Sequence, residues 1–464
     1  QHPQSISPSA CTTPYLAVGP AVLKAHRPSA RGVRRQQLRP GSGRCGAHAA
    51  AVAAMRLPVL TVSGQEVVSL DALPRWTLQE ARARLCEVLG VPSYSIRIFH
   101  GTVELTSKAA LADIGVCDGS QLTLVISAPL QVVTASKDCT AKLWSVASGK
   151  CLRTLEGHEA QVNSAELSPD STLVLTASRD KTAKIWSIAC GVCLRTLTGH
   201  SARVKSAAFS LDGTLALTAS FDSTAKLWNV MSGECVHTLM GHGAWLFSAV
   251  FSPSGALVLT ASRDTTARVW RADSGRCLHT LVGHEASVVS AVFSASTEQV
   301  LTASIDGTAR LWASSSGECL RLLETHGGLV RSAVLSLDGT LALTASNDST
   351  AKVWSTGSGE CLSTLEGQGA AVVVAVISPD GALALTAAMS RAPKIWDVES
   401  GVCMHTLEGH DAQLVSAAFS SDGTLALTAA WDGTARLWCA ESGDCLHTLR
   451  GHIAPLRSAA FSWN

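Results

Sequence analysis

The sequence has almost no net charge, no long apolar run and none of the common catalytic motifs. Its 37 Lys and Arg residues balance 36 Asp and Glu residues, so the total charge favours no class of partner. No apolar stretch approaches the roughly 18–20 residues of a membrane-spanning helix, and we expect no membrane partner. A phosphate-binding loop, a nucleophile elbow and metal-ligand spacing are also missing. We therefore expect a non-catalytic protein without cofactor or metal.

What the sequence does contain is a repeat. Residues 129–464 repeat every 42 residues, marked in most units by a Gly-His pair and in all by a Trp. The Trp residues are Trp144, Trp186, Trp228, Trp270, Trp312, Trp354, Trp396 and Trp438. A period of roughly 40–45 residues with these marks resembles the WD40 repeat, in which four strands form one blade of a β-propeller. Eight units fill this stretch without remainder, so we expect a mainly β protein with a closed eight-bladed propeller.

The repeat register also predicts how the ring closes. Each unit contains four strands, a to d in chain order. Residues 456–461 have the pattern of strand a, but the strands b, c and d of that unit come from residues 131–155. Sharing one blade between distant parts of the chain removes the exposed sheet edges of an open ring. We expect the propeller to be monomeric.

The WD40 resemblance implies a hydrogen-bonded tetrad of His, Ser, Asp and Trp in each blade. In one unit these residues are His158, Ser178, Asp180 and Trp186. In the shared blade they are His452, Ser136, Asp138 and Trp144. A buried imidazole and a buried carboxylate are costly unless each is paired, so the four are expected to be kept or lost together. Their repetition around the ring indicates architecture rather than catalysis.

One unit departs from this pattern. It carries Gln368, Ala388 and Ser390 in place of the His, Ser and Asp, and Pro393 stands where strand c begins. Because proline cannot donate to a central strand, we expect a distorted strand and the least rigid blade here. The next unit has Ala430 in place of the Ser.

Cysteine follows the repeat as well. Eight of the 15 cysteines begin strand d: Cys151, Cys193, Cys235, Cys277, Cys319, Cys361, Cys403 and Cys445. Equivalent positions in different blades are too far apart for disulfide geometry. We expect reduced thiols that pack as small apolar side chains.

Residues 1–54 contain seven Lys and Arg residues and no acidic residue. A segment dominated by Pro, Ser, Ala and Gly is expected to be disordered, and an Arg-rich, acid-free start also fits an organelle transit peptide. The chain begins at Gln1, and Met55 directly precedes the first predicted strand, so a translated leader is a third interpretation. The expected location is the cytoplasm or nucleus, with organelle targeting as the alternative.

Residues 56–127 form a separate α+β unit. Two short strands precede a capping box, Thr77 to Glu80, that begins a helix, and further strands follow near 95–101 and 121–126. This order, with IFHGTVEL at 98–105, LADIGV at 111–116 and SQLTLVI at 120–126, resembles the β-grasp of ubiquitin. No terminal Gly-Gly is present, so conjugation is excluded. The resemblance implies an apolar recognition patch at Val62, Val125 and either Ile98 or Arg97.

A ubiquitin-like domain before an eight-bladed propeller resembles the Notchless family of large-ribosomal-subunit assembly factors. The resemblance implies that an acidic residue of the ubiquitin-like domain engages the metal site of a remodelling ATPase, and Glu104 and Asp118 are the candidates. The alternative is an adaptor of the ubiquitin–proteasome system that uses the apolar patch. A third interpretation is that this domain only docks on its own propeller.

Binding is expected where the repeats differ. Three positions vary in each unit: the residue before the tetrad Asp, and the two residues that flank the first apolar residue of strand a. These should point to one face of the ring near the central channel. The selected basic and aromatic residues at these positions are Lys137, Arg179, Arg203, Lys205, Phe221, Trp245, Phe247, Arg263, Trp431 and Arg457. The half of the ring that contributes Trp431 is otherwise mostly apolar.

Clustered Arg and Lys favour an acidic or phosphorylated peptide, and exposed aromatic residues are typical of binding hot spots. We therefore expect this face to bind a protein segment with an acidic part and an apolar part. The same charges fit an RNA–protein complex, although the aromatic ladder of a nucleic-acid module is not evident.

Overall fold

The computed structural model of this chain describes residues 55–61, 65–89, 96–101, 103–105, 110–113, 115–126, 130–324 and 326–463. The basic segment 1–54 and Val62 lie outside these ranges. Within them, no helix combines the length and the apolar character needed to cross a membrane.

The first unit is a five-stranded mixed sheet with one helix. Its elements are β1 (Met55–Thr61), β2 (Glu66–Ala72), α1 (Leu78–Leu89), β3 (Ile96–His100), β4 (Val103–Glu104) and β5 (Leu122–Ile126). The sheet order is β2-β1-β5-β3-β4, in which β1 and β5 run parallel and the other neighbours antiparallel. The two ends of the unit's chain therefore meet at the centre of the sheet.

Helix α1 begins at the predicted capping box. The backbone N of Thr77 donates to Glu80 Oε2 at 2.7 Å, and the backbone N of Glu80 donates to Thr77 Oγ1 at 3.3 Å. These bonds satisfy amides that the first helical turn leaves free. The helix then buries Leu78, Ala81 and Leu85 against the sheet.

Ile98 belongs to the core of this unit. Its side chain is 0% exposed, and its register partner Leu124 is also buried. The prediction that Ile98 contributes to an exposed recognition patch is therefore wrong. The reason is strand periodicity, because a one-residue difference in the preceding loop exchanges the two faces of a strand. Val125 pairs in register with Arg97.

The rest of the described chain forms eight four-stranded antiparallel sheets, the blades of a propeller. Blade 1 contains β9 (Val162–Leu167), β10 (Leu173–Ser178), β11 (Ala183–Ser187) and β12 (Cys193–Leu197); blade 2 contains β13 (Val204–Phe209), β14 (Leu215–Ser220), β15 (Ala225–Asn229) and β16 (Cys235–Leu239). Blade 3 contains β17 (Leu246–Phe251), β18 (Leu257–Ser262), β19 (Ala267–Arg271) and β20 (Cys277–Leu281); blade 4 contains β21 (Val288–Phe293), β22 (Gln299–Ser304), β23 (Thr308–Ala313) and β24 (Cys319–Glu324).

The remaining blades follow the same order. Blade 5 contains β25 (Val330–Leu335), β26 (Leu341–Ser346), β27 (Ala351–Ser355) and β28 (Cys361–Leu365); blade 6 contains β29 (Val372–Ile377), β30 (Leu383–Ala388), β31 (Lys394–Asp397) and β32 (Cys403–Thr406). Blade 7 contains β33 (Leu414–Phe419), β34 (Leu425–Ala430), β35 (Ala435–Cys439) and β36 (Cys445–Leu449); blade 8 contains β37 (Leu456–Phe461), β6 (Gln131–Ser136), β7 (Ala141–Ser145) and β8 (Cys151–Leu155). The two outer strands of blade 6, β31 and β32, have four residues each and are shorter than those of the other blades. Pro393 directly precedes β31, in agreement with the predicted distortion of this strand.

The ring closes through blade 8, as predicted. Strand β37 pairs antiparallel with β6, with Leu456 opposite Ser136 and Phe461 opposite Val132. The backbone N of Gln131 donates to Ser462 Oγ at 3.0 Å across 331 residues of chain. The first strand of every blade packs against the first strand of the next, from β9 round to β37 and back to β9. These strands form the wall of the central channel.

The propeller core lies between blades. Leu175, Ile185 and Leu197 of blade 1 form one cluster with Phe209 and Trp228 of blade 2. Equivalent clusters join the other neighbours, each containing the Trp of the following blade. The Trp residues thus bind each blade to its predecessor by buried apolar area.

The strand-d cysteines are less buried than predicted. Five of the eight are exposed and three are half-buried, and all are free thiols. They lie on the outermost strand of each blade, where only one face of the strand meets the core. The prediction of reduced thiols agrees with the structure, whereas the prediction of packed apolar side chains is wrong for the exposed five.

Candidate binding face of the propeller

A threonine on strand b links the buried polar residues of each regular blade. In blade 1, His158 Nδ1 contacts Asp180 Oδ2 at 2.7 Å, and His158 Nε2 contacts Thr176 Oγ1 at 2.7 Å. Trp186 Nε1 donates to the same Thr176 Oγ1 at 2.8 Å. The predicted member, Ser178, instead donates to the carbonyl of Ala160 at 3.0 Å. The tetrad is therefore His, Thr, Asp and Trp, and the sequence prediction was wrong in its Ser.

The carboxylate of this tetrad is held in its ionised form. Burial alone would raise the pKa of Asp180, but hydrogen bonds from His158 and Thr182 outweigh it, so the pKa lies well below its usual range. The charge is stabilised by the partners rather than by water.

The shared blade has the same arrangement across distant chain segments. His452 Nδ1 contacts Asp138 Oδ2 at 2.7 Å, while His452 Nε2 and Trp144 Nε1 both lie 2.8 Å from Thr134 Oγ1. Ser136 Oγ donates to a backbone carbonyl of the turn before β37 at 3.1 Å. The sequence predicted that residues from both ends of the repeat region form one tetrad. It did not predict that Thr134, rather than Ser136, is the hydroxyl residue of that tetrad.

Blade 6 keeps half of the tetrad. Trp396 Nε1 still donates to Thr386 Oγ1 at 2.8 Å, and Gln368 Nε2 donates to the same hydroxyl. Gln368 Oε1 and Ser390 Oγ are buried without a partner. The His–Asp half has therefore been lost without the Thr–Trp half, and the four members are not strictly kept or lost together.

Blade 7 shows that the serine is dispensable. Despite Ala430, His410 contacts Asp432 at 2.8 Å and Thr428 at 2.9 Å. The hydrogen-bonded chain from Asp to Trp is complete, because the serine never belonged to it. The repeated Thr of strand b, which is present in all eight units, was the sequence signal for the true member.

The tetrads hold the turns that carry the variable residues. The backbone N of Arg179, before the tetrad Asp, donates to the carbonyl of Gln161, before strand a, at 2.9 Å. The same bond joins Phe221 to Arg203 at 3.1 Å and Arg263 to Trp245 at 2.8 Å. Two of the three variable positions of each blade are therefore neighbours on one face.

Aromatic and cationic side chains pack against one another across blades 2 and 3. Phe221 and Trp245 stack with ring centroids 4.7 Å apart and an interplanar angle of 16°. The Arg203 guanidinium lies 4.0 Å from the Phe221 ring and that of Arg263 lies 4.6 Å from Trp245. Phe247 meets Phe221 edge-on at 6.1 Å. Cations stacked on aromatic faces in this way are ordered before any partner arrives.

The remaining predicted residues extend this surface towards blades 1, 8 and 7. Arg179, Lys205 and Arg457 lie within electrostatic reach of one another and of Arg203. Lys137 lies 4.6 Å from the ring of Trp431, which is 42% exposed. The structure thus brings all ten predicted residues onto one continuous surface, which we call the basic–aromatic arc.

Glu166 is a channel residue that sequence reasoning missed. It occupies the fifth position of β9, where the other seven blades have Ala or Val. Its Oε1 accepts from the backbone N of Phe209 at 3.2 Å, and burial in the channel wall raises the pKa of this carboxyl to about 7. Its signal in the sequence was that it is the one charged residue at this position of the repeat.

No group of three or more His, Cys, Asp and Glu residues able to hold a metal occurs in the part of the chain that the structure describes.

Comparison with known proteins identifies the repeat region. The family model "WD domain, G-beta repeat" matches residues 149–187, 191–229, 233–271, 275–313, 317–355, 359–397 and 401–439, more than half of the chain. Among curated proteins, the target of rapamycin complex subunit LST8 of Bos taurus is 40% identical over 48 residues, which are 10% of this chain and 15% of that protein. The match therefore spans less than a sixth of that relative's length.

Among solved structures, the crystal structure of the computationally designed Ika8 protein in packing No.1 of P63 is 26% identical. The superposition has a TM-score of 0.61 and covers 68% of this chain and 94% of that one. This similarity concerns the fold alone.

Proposed function

Because this chain belongs to the WD40 family of WD-domain, G-beta repeat proteins, we propose that it is a non-catalytic scaffold whose basic–aromatic arc binds a segment of a partner protein. Propellers of this family typically act as platforms for protein interactions. The repeated tetrads build the ring, and the partner is selected where the blades differ.

The observation that carries this proposal is the stack of Arg203, Phe221, Trp245 and Arg263. Trp245 remains 40% exposed although it contacts three of its neighbours. Trp and Arg are the residue types that most often dominate binding energy. Side chains that are already ordered lose little conformational entropy on binding. An apolar residue of the partner would cover the Trp245 ring, and acidic groups would meet the guanidinium groups on both sides.

We further infer that the first unit recruits a second partner. Its sheet order and its parallel β1–β5 pair support a ubiquitin-like fold. Burial of Ile98 argues against the adaptor function that uses a ubiquitin-type patch. The alternative of a ribosome-assembly factor requires an acidic surface residue. Asp118 is exposed, and its Oδ1 is oriented by the backbone N of Arg56 at 2.7 Å.

Affinity capture from cell extract with quantitative mass spectrometry tests the propeller part of this proposal. Arg203→Ala and Trp245→Ala should each remove the partner that wild-type protein captures, with circular dichroism unchanged. Met389→Ala is the control, because Met389 is also exposed and occupies in blade 6 the turn position that Phe221 and Arg263 have in blades 2 and 3, outside the basic–aromatic arc. Equal capture by all three variants would refute the placement of the binding site. Asp118→Asn should remove a different set of proteins, those that the first unit recruits.

A further inference from the structure

Four cations form a compact group where blades 8, 1 and 2 meet at the mouth of the channel. They are Arg457 of β37, Arg179 of the β10–β11 turn, and Arg203 and Lys205 at the start of β13. Each lies within electrostatic reach of the other three. We call them the four-cation cluster.

These charges are not neutralised by the protein. Among the residues that the structure describes, no carboxylate forms an ion pair with any of the four. The Nε atoms of Arg179 and Arg457 are buried without an acceptor, and the one side-chain hydrogen bond of the group runs from Arg457 Nη2 to Gln161 Oε1 at 3.3 Å. Two buried donors of the cluster thus lack an acceptor, an arrangement that costs free energy.

The four cations also repel one another. Burial lowers the pKa of Lys205, and Arg457, Arg179 and Arg203 lower it further. Burial and then Arg179 likewise lower the pKa of Arg203. Lys205 is nevertheless exposed to solvent, so an ion of opposite charge has access to it.

The fold itself does not require these cations. Lys205 and Arg457 occupy the second position of strand a, and three sister blades carry Val289, Val373 and Val415 there. These blades have the same strand pairing. A costly group that the architecture can do without is explained best by a ligand.

We propose that the four-cation cluster binds the phosphate monoester of a phosphorylated side chain in the partner segment. This inference rests on the proposed function, because it assigns the acidic part of that segment. A phosphate monoester carries a charge of roughly −1.5 to −2 at pH 7 and three strong acceptor oxygens. Aspartate and glutamate offer one charge and two oxygens, which serve fewer of the unpaired donors. A nucleic-acid phosphodiester likewise carries one charge.

The position of the cluster also determines how the partner segment lies on the basic–aromatic arc. Arg203 belongs to the cluster and at the same time lies over the Phe221 ring at 4.0 Å. Trp245 stacks on Phe221 with ring centroids 4.7 Å apart, and its ring lies 5.9 Å from the same guanidinium. A phosphorylated residue at the cluster therefore places an adjoining part of the peptide near Trp245, so that one segment uses both features.

Isothermal titration of the full chain with N-acetyl-phosphoserine amide tests this assignment, with N-acetyl-aspartate amide and inorganic phosphate as comparison probes. Wild-type protein should bind the phosphoserine probe at least tenfold more tightly than the aspartate probe. Lys205→Val and Arg457→Val should each weaken it tenfold or more, and folding is preserved because sister blades carry Val. Arg331→Val is the matched control, since it removes one charge at the same strand position in blade 5, where Arg331 Nε is paired with Asn347 Oδ1 at 2.8 Å.

Equal affinity for the phosphoserine and aspartate probes, or equal losses in Arg331→Val and Lys205→Val, would overturn the phosphate site. Inorganic phosphate that binds more tightly than the phosphoserine probe would assign the cluster to a free anion. Tighter binding of a twelve-residue oligouridylate, lost in Lys205→Val, would assign it to RNA. The two proposals can fail separately. If Trp245→Ala abolishes protein capture but wild-type protein shows no preference for the phosphoserine probe, the scaffold function stands and this inference alone is refuted.

Discussion

Glu166 gives a sharp test of the channel structure, because it places a carboxyl where seven sister blades have Ala or Val. Burial raises its pKa from 4.5 to about 7, against the opposing hydrogen bond from the backbone N of Phe209. The ionised carboxylate is therefore less favourable in the folded ring than in the unfolded chain.

The size of this effect follows from linkage. A rise from 4.5 to about 7 corresponds to about 3 kcal/mol of unfolding free energy. Since the folded-state pKa is the higher one, the contribution is fully present below pH 4.5, falls as pH rises through 7, and is constant above about pH 8. The side chain is partly accessible from the channel, so about 3 kcal/mol is the upper value. Glu166→Gln keeps an acceptor for the Phe209 amide and removes the titration.

Urea unfolding of wild type and Glu166→Gln at pH 5, 6, 7 and 8 measures this. The unfolding free energy of the variant should rise relative to that of wild type as pH rises, and most of this change should occur between pH 5 and 8. Glu159→Gln, on the exposed turn before β9, is the control for the removal of one negative charge from the surface. A Glu166→Gln difference that does not change with pH would show that the carboxyl is solvated and that the channel wall is not closed around it.

Three further predictions concern the tetrads and the thiols. Thr176→Val should lower the unfolding free energy by about 2–4 kcal/mol, because Trp186 Nε1 loses its acceptor and His158 Nε2 loses its hydrogen-bond partner. Ser178→Ala should lower it less, and equal losses in urea unfolding would show that the serine belongs to the tetrad. Gln368→His and Ser390→Asp together should restore the missing pair of blade 6 with a coupling energy of about 1–3 kcal/mol, and strictly additive effects in a double-mutant cycle would contradict this. Cys361 should react with maleimide in the native protein, as located by peptide mass spectrometry, because it is exposed and unbridged; reaction only after unfolding would show that the outer strands are covered.

The blades and their closure could be predicted from the sequence because the repeat supplies eight independent copies of the same information. A 42-residue period determines which residues are equivalent, and the pairing of β37 with β6 followed from register alone. The Ser of the tetrad was predicted from family resemblance and was wrong. Thr176 was equally visible as a repeated residue, but a pattern does not show which of two hydroxyl groups faces the His.

The positions of the arc were predictable, whereas its internal order was not. Repeat register placed Arg203, Phe221 and Trp245 on one face. That these three side chains contact one another depends on their rotamers, which the repeat pattern does not show. The prediction for Ile98 was wrong for another reason. The face on which Ile98 lies depends on the length of the loop before β3, because successive residues of a strand point to opposite faces.

Closure through blade 8 has a consequence for protein synthesis. Ribosomes add roughly 5–20 residues per second, so β6 leaves the ribosome tens of seconds before β37, its partner in the sheet. Throughout that interval, β6 of the nascent chain lacks its partner strand. Arg457, which is made last, completes the four-cation cluster together with residues made far earlier. The binding face therefore comes into being only when translation has passed the final strand, and a prematurely terminated chain has no complete site to offer.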